Sequence, residues 1–106
     1  MIDVNDGNFK EKVLGKSKDI PVVVDFWAGW CMPCKMLGPV IEEVAKENKD
    51  KFILAKMNVE ENTVMPGVYG VMSIPSVKMF KNGEVTAEFV GTLPNESIQK
   101  WVDDNV

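Results

Sequence analysis

Residues 21–27, with the sequence Pro-Val-Val-Val-Asp-Phe-Trp, form a short and almost wholly apolar run. Valine is β-branched and favours extended backbone, so this run predicts a β-strand. Because apolar and polar residues do not alternate here, both faces of the strand are expected to be buried. The run therefore predicts a central strand of a sheet.

Three other segments carry apolar residues at helical spacing. The first spans residues 8–14, the second follows the cysteines and reaches about Asn48, and the third is opened by Pro94. Pro39 lies inside the second segment and is expected to kink that helix, because proline lacks an N–H and crowds the preceding turn. The apolar positions are Phe9 and Val13 in the first segment, Leu37, Val40, Ile41, Val44 and Ala45 in the second, and Ile98, Trp101 and Val102 in the third.

Further strands are expected in the second half of the chain. Residues 52–59 predict a second buried strand, and residues 62–69 a weak, short helix. Two apolar, β-rich runs follow at residues 76–80 and 84–90. They are joined at Asn82-Gly83, a pair that tolerates positive φ, so they predict a β-hairpin.

The predicted order is a short strand, helix, strand, helix, strand, helix, hairpin and helix. Alternating strands and helices followed by a hairpin predict an α/β sandwich with central parallel strands and an antiparallel hairpin at one edge. A length of 106 residues suits one domain, so residues 1–106 are expected to form a single domain.

The composition argues against several classes of partner. The chain has 16 Asp and Glu against 12 basic residues, all of them Lys. Without arginine it lacks the side chain that most often reads guanine and phosphate, so we expect no nucleic-acid binding. No run approaches the about 18 apolar residues of a transmembrane helix, and we expect no membrane association. The polar N-terminus does not resemble a secretion signal, so the protein is expected in the cytoplasm, where thiols are mostly kept reduced.

The only two cysteines, Cys31 and Cys34, lie where the predicted central strand passes into a helix. Unpaired N–H groups and the positive end of the helix dipole at that position stabilise a thiolate, which is the species that attacks disulfides. The spacing also allows both sulfurs to meet in a short ring, so the second can resolve a mixed disulfide. A metal site, which would usually need four Cys or His ligands, and a static or inert cysteine pair remain as alternatives.

Asp25 is the one acidic residue in the central apolar run. A buried carboxylate is costly and its pKa tends to rise, so Asp25 is a candidate general base for the proton of Cys34. Lys56, in the next central strand, is a candidate ionic partner. The alternatives are that Asp25 caps a turn or faces solvent at a strand end, and that Lys56 is a solvated strand-end lysine.

Two tryptophans and one X-Pro bond are further features to interpret. Trp27 and Trp30 flank the cysteine loop, where an aromatic side chain could exclude water and offer a flat contact to a partner protein. The alternative is that a tryptophan here simply packs in the core, and Trp27 is expected to do so in part. The bond between Ile74 and Pro75 is expected to be trans on local grounds, because only about 5–6% of such bonds are cis in folded proteins.

Taken together, these motifs resemble those of the thioredoxin family along the whole chain. The matching residues are Asp25-Phe26-Trp27-Ala28, Trp30-Cys31, Pro33-Cys34-Lys35, Pro39, Lys56, Tyr69-Gly70-Val71, Ile74-Pro75, Phe80-Lys81-Asn82-Gly83 and Gly91. They are spread over distant segments, so the combined match is more specific than the cysteine pair alone.

The resemblance implies a central mixed sheet of about five strands with helices on both faces. It implies that Cys31 is the exposed nucleophile, Cys34 the buried resolving thiol, Asp25 the buried base and Lys56 its neighbour. It also implies a cis bond before Pro75, which faces the cysteines. The residues expected to contact a target protein are Trp30, Met32, Pro33, Ile74, Pro75 and Gly91.

Three places in the sequence depart from the family pattern. The usual dipeptide between the cysteines is Gly-Pro, whereas this chain has Met32-Pro33. Pro33 is expected to preserve the helix start, and Met32 to modify the choice of partner, since a flexible thioether adapts to varied apolar surfaces. Met72-Ser73 is expected to be a second change in the partner surface, and Ser76 stands where Thr is commoner.

The resemblance implies an enzyme that reduces disulfides of target proteins through Cys31 and Cys34. It needs no bound cofactor besides its redox-active disulfide, and a separate thioredoxin reductase supplies the electrons, because no dinucleotide-binding glycine loop is present. A monomer is expected. The rival functions are a disulfide oxidant or isomerase, which usually has His in place of Pro33, a glutaredoxin-like enzyme, and a non-catalytic binding module.

Overall fold

A computed structural model describes residues 1–106 as a five-stranded sheet with helices on both faces. The strands are β1 (Ile2–Asp3), β2 (Val22–Trp27), β3 (Ile53–Asn58), β4 (Ser76–Lys81) and β5 (Glu84–Val90). The helices are α1 (Met32–Glu47), α2 (Val64–Val68) and α3 (Asn95–Asn105), and a further helical segment spans residues 10–18. No helix has the length and apolar character needed to span a membrane.

The strands are arranged in the order β1-β3-β2-β4-β5. β3 pairs in parallel with β1 and β2, while β4 runs antiparallel to both β2 and β5. The mixed sheet with a hairpin at one edge is therefore confirmed. The register of β2 and β3 places Asp25 directly opposite Lys56, so the two charged residues are neighbours across the centre of the sheet.

Successive side chains of β2 point to opposite faces of the sheet and so belong to two separate hydrophobic cores. Val23 packs with one face of α1 and α3, whereas Val22, Val24 and Phe26 pack on the opposite face against the N-terminal helical segment. All four are essentially inaccessible to solvent, which confirms a central strand buried on both sides. The α1 and α3 residues of the first core are Leu37, Ile41, Val44, Ile98 and Val102.

The N-terminal helical segment differs in type from the α-helix that its spacing predicts. It is a π-helix over Lys10–Gly15 and a 3₁₀-helix over Lys16–Lys18. The Ser17 hydroxyl donates to the carbonyl of Leu14 at 2.7 Å, and such local side-chain bonds compete with regular helical pairing. The predicted core positions Phe9 and Val13 are nevertheless fully buried.

The turn and proline predictions have different outcomes. Asn82 and Gly83 have φ values of 53° and 81°, so the hairpin turn uses two consecutive left-handed residues as predicted. α1 continues without interruption through Pro39, and the kink there remains a prediction. Pro94 caps α3 from the position just before its first residue.

Candidate active site

The two cysteines lie at the junction of β2 and α1. Cys31 is the N-cap residue of α1, and its Sγ accepts a hydrogen bond from the backbone N–H of Cys34 at 3.3 Å. The two residues are joined by a disulfide, with their Cα atoms 5.3 Å apart. The preceding loop is held by Glu60, whose carboxylate accepts a hydrogen bond from the Gly29 N–H at 2.8 Å. Cys31 Sγ thus lies at the positive end of the helix dipole, where a thiolate is stabilised.

The burial of the cysteines differs from the family-based expectation. Cys31 and Cys34 are each only 4% exposed, so the expected contrast between an exposed and a buried cysteine is wrong for this disulfide form. Both residues pack in one small cluster with Ala28, Trp27 and Ile74, which leaves little of either residue open to solvent. Access to Cys31 is therefore limited to a small part of its surface.

The segment around Pro75 approaches the disulfide from the side. The carbonyl oxygen of Ile74 is 3.9 Å from Cys31 Sγ. The bond between Ile74 and Pro75 is cis, as the resemblance implies, and the local expectation of a trans bond is wrong. Gly91 donates its N–H to the Pro75 carbonyl at 2.8 Å and has a φ of 88°, a conformation that favours glycine. Ile74 thus lies beside Cys31, and Pro75 joins it to Gly91.

The remaining predicted contact residues are on the surface of the cysteine loop and the start of α1. Trp30 is 70% exposed and Met32 67% exposed, which is unusual for large apolar side chains. Pro33 is also exposed, in the first turn of α1, and α1 begins as predicted. Three other exposed apolar residues lie close in the sequence to Cys34, Pro75 or Gly91, namely Met36, Met72 and Val90.

Asp25 lies below α1 on the same face of β2 as Val23. Its side chain is 1% exposed, and neither carboxylate oxygen has a hydrogen-bond partner. Burial raises the pKa of Asp25 from 3.8 to about 6, an effect opposed by the positive charge of Lys56 and reinforced by the negative charge of Glu42. Asp25 is therefore neither a turn cap nor a solvent-facing residue.

Lys56 is the ionic neighbour expected for Asp25. Its Nζ is 3.8 Å from Asp25 Oδ2, and its side chain is 14% exposed, so the alternative of a freely solvated lysine is wrong. The ammonium group also lies 5.5 Å from the centroid of the Trp27 ring, within the range of a cation–π interaction. Trp27 thus contacts the cysteine cluster and lies close to this ion pair.

Sequence reasoning missed one charged residue of this site. Glu42 Oε2 accepts a hydrogen bond from Lys56 Nζ at 3.4 Å, a shorter contact than the one between Lys56 and Asp25. The available signal was spacing: Glu42 follows Cys34 by eight residues on the same helix, close to two turns and thus on the same face.

Comparison with known proteins identifies the family. A family model described as Thioredoxin matches residues 1–104. The chain belongs to the thioredoxin family. A thioredoxin of Rickettsia bellii is 46% identical over 104 residues, which cover 98% of this chain and 97% of the relative. Thioredoxin 2 of Chlorobaculum tepidum is 45% identical over 104 residues (98% and 94%), and a Haemophilus influenzae thioredoxin 41% over 106 residues (100% and 97%).

Membership in the thioredoxin family establishes the class of reaction. The chain is a thiol–disulfide oxidoreductase, and its Cys31–Cys34 disulfide is consistent with dithiol–disulfide exchange. The expected thioredoxin fold is confirmed in its sheet order and in the placement of helices on both faces.

Proposed function

We propose that this chain reduces disulfide bonds of target proteins with Cys31 as the attacking residue and Cys34 as the resolving residue. The observation that carries this order is the capping position of Cys31, whose Sγ accepts the Cys34 N–H at 3.3 Å at the start of α1. In the reduced protein the same N–H and the helix dipole stabilise a Cys31 thiolate. Cys34 is already inside the helix, within disulfide reach of Cys31.

The reaction consists of two exchange steps. The Cys31 thiolate attacks one sulfur of the target disulfide, which forms a mixed disulfide and releases the other target sulfur as a thiolate. Cys34 then loses its proton and attacks Cys31 Sγ. This second attack releases the fully reduced target and leaves Cys31 and Cys34 joined, so two electrons have passed to the target. A thioredoxin reductase returns the pair to the dithiol form.

Asp25 serves as the base for Cys34 in the second step. The side chain is buried on the α1 face of β2, lacks hydrogen-bond partners and has a pKa of about 6, so it can accept a proton near neutral pH. Lys56 is the neighbouring cation that keeps the buried carboxylate from being wholly uncompensated.

Target proteins dock on the apolar surface beside Cys31. Trp30 and Met32 supply exposed apolar contacts, and the Ile74 carbonyl lies 3.9 Å from Cys31 Sγ at the edge of the same surface. Pro33, Pro75 and Gly91 complete the set. Met32 in the Cys-Met-Pro-Cys motif adjusts partner choice rather than chemistry, because an exposed thioether adapts to varied surfaces. Comparing Met32→Gly with the parent enzyme tests this point: equal rates with every target protein would refute it.

The decisive experiment is trapping of the mixed disulfide. Cys34→Ser should accumulate a covalent complex with an oxidised target such as insulin, because the resolving sulfur is gone. Cys31→Ser, the matched control, should form none. Both reactions are analysed on gels without reductant, and a second sample of each is treated with dithiothreitol to show that any complex is held by a disulfide. A complex formed by Cys31→Ser and not by Cys34→Ser would reverse the assigned roles.

The cellular setting is proposed on the same basis. Residues 1–106 act as one domain and as a monomer in the cytoplasm, and the protein works as a reductant there. A reduction potential of the Cys31–Cys34 pair well below the glutathione poise would support this role. A value at or above that poise would instead favour a disulfide oxidant or isomerase, for which Pro33 is atypical.

A further inference from the structure

We propose that Glu42 is a positioning residue for this reaction: by holding the ammonium group of Lys56, it keeps the Asp25 carboxylate free to accept a proton. The inference rests on the proposed function, since it assigns Asp25 as the base for Cys34. It adds a third charged residue to the site, one that contacts neither sulfur and acts through Lys56.

The contacts of Lys56 are unequal. Its Nζ donates a hydrogen bond to Glu42 Oε2 at 3.4 Å, whereas Asp25 Oδ2, at 3.8 Å, is beyond hydrogen-bond distance. Both oxygens of Asp25 are left without a hydrogen bond although its side chain is 1% exposed. A carboxylate that accepts hydrogen bonds binds a proton less readily, so the preference of Lys56 for Glu42 preserves the basicity of Asp25.

The sequence of α1 leaves room for the contact between Lys56 and Glu42. Cys34, Gly38 and Glu42 follow one another at four-residue spacing on α1, so they lie in one row along its face. A Cβ atom at Gly38 would stand 3.3 Å from Lys56 Nζ and 3.7 Å from Glu42 Oε2. The absent side chain thus leaves the space in which the ammonium group meets Glu42, midway along the row that begins at the resolving cysteine.

Other charged groups do not replace Glu42 in this role. Asp3 of β1 and Glu61 share a cleft of about 360 Å³ with Lys56, but neither lies within 4 Å of its Nζ. From β4, the register partner of Asp25 is the uncharged Val77. Among these charged groups, Asp25 contacts one cation, Lys56, and Glu42 is the second carboxylate that contacts the same ammonium group.

The test compares Glu42→Gln with Glu43→Gln. The control removes the same charge from the neighbouring position of α1, where the side chain is exposed and forms no ion pair. The carboxyl carbon of Asp25 is followed by NMR as a function of pH in the oxidised proteins. Asp25 Oδ2 and Glu42 Oε2 lie 3.8 and 3.4 Å from the same Lys56 Nζ, so the two oxygens are no more than about 7 Å apart. Glu42→Gln should therefore lower the titration midpoint by at least about one pH unit, because unit charges at that separation interact by about one to two pKa units at effective dielectric constants of about 20–40. Glu43→Gln should leave it within about 0.2 pH unit of the parent.

The effect on the reaction is measured separately. A mixed disulfide is formed between Cys31 and a small aromatic thiol, and its release by Cys34 is recorded against pH. In Glu42→Gln the midpoint of this profile should fall in parallel with the NMR midpoint, and Glu42→Asp should restore part of the difference. Matching midpoints in Glu42→Gln and Glu43→Gln by NMR would overturn the proposal.

The two proposals fail in different ways. If the NMR midpoint falls but the release profile does not move, Glu42 controls Asp25 while Asp25 is not the base, and the proposed function loses that step. Because the NMR titration uses oxidised protein and needs no target, its result does not depend on whether Cys31 attacks first.

Discussion

Replacing Asp25 by Asn is expected to stabilise the folded protein at neutral pH and to have little effect in acid. The carboxyl group is buried, and its pKa rises from 3.8 in the unfolded chain to about 6 in the folded one. Below pH 3.8 the carboxyl group is protonated in both the folded and the unfolded chain, so it does not lower the free energy of unfolding. As pH rises through this window the unfolded chain ionises first, so stability is lost until the folded state also ionises.

The magnitude follows from the width of the window. A difference of about two pKa units corresponds to about 3 kcal/mol, all of which is present above about pH 7. Asn has nearly the same shape and stays neutral, so it removes the pH dependence and keeps the packing. The stability of Asp25→Asn relative to the parent should therefore rise from under about 1 kcal/mol at about pH 4 to about 3 kcal/mol near pH 7.5.

The assay is urea unfolding of the oxidised proteins, followed by tryptophan fluorescence at several pH values. Asp50→Asn is the control, because Asp50 is exposed and forms no ion pair, and its curve should track the parent at every pH. A gain that is equal at about pH 4 and pH 7.5, or that shrinks as pH rises, would refute the argument from burial.

Three further changes have defined outcomes. Lys56→Met should move the NMR midpoint of Asp25 above about 6, because the opposing positive charge is lost; an unchanged midpoint would show that Lys56 does not act on Asp25. Gly91→Ala should lower the free energy of unfolding in urea by about 1–2 kcal/mol, because alanine is strained at the φ of 88° found there. The control Gly67→Ala, in α2, should leave the stability unchanged or raise it, and equal effects of the two changes would contradict the backbone explanation. Phe80→Ala, in the fully buried core, should cost about 3–5 kcal/mol by the same assay, and a cost below about 1 kcal/mol would show that this core tolerates a cavity.

Sequence patterns predicted most of the scaffold because the relevant signals are local. The unbroken apolar run of β2 requires two buried faces, and Asn82-Gly83 supports the only turn that needs two left-handed residues in succession. The burial of Asp25 follows from its position within that run. Its pairing with Lys56 could only be suggested, because it depends on the register between strands that are distant in sequence.

The features that escaped prediction depend on contacts made after folding. The equal burial of Cys31 and Cys34 comes from packing against Ile74, which lies 43 positions from Cys31. The role of Glu42 depends on how closely α1 approaches β3, a distance that Gly38 permits but that helical spacing alone does not reveal. Apolar periodicity reports which residues of the N-terminal segment are buried, but it does not distinguish the π-helix over Lys10–Gly15 and the 3₁₀-helix over Lys16–Lys18 from an α-helix.

The two outer strands of the sheet also bear on how the protein behaves when concentrated. An unpaired strand edge is a template for adding strands from other molecules, and this is how many fibrils grow. β5 carries the exposed carboxylates Glu84 and Glu88 along its length, and β1 at the opposite edge is only two residues long. Glu88 is paired with Lys78 at 3.3 Å, so burying this edge against another strand would desolvate charged side chains. The other edge is too short to seed pairing, so growth of the sheet into aggregates is opposed from both sides.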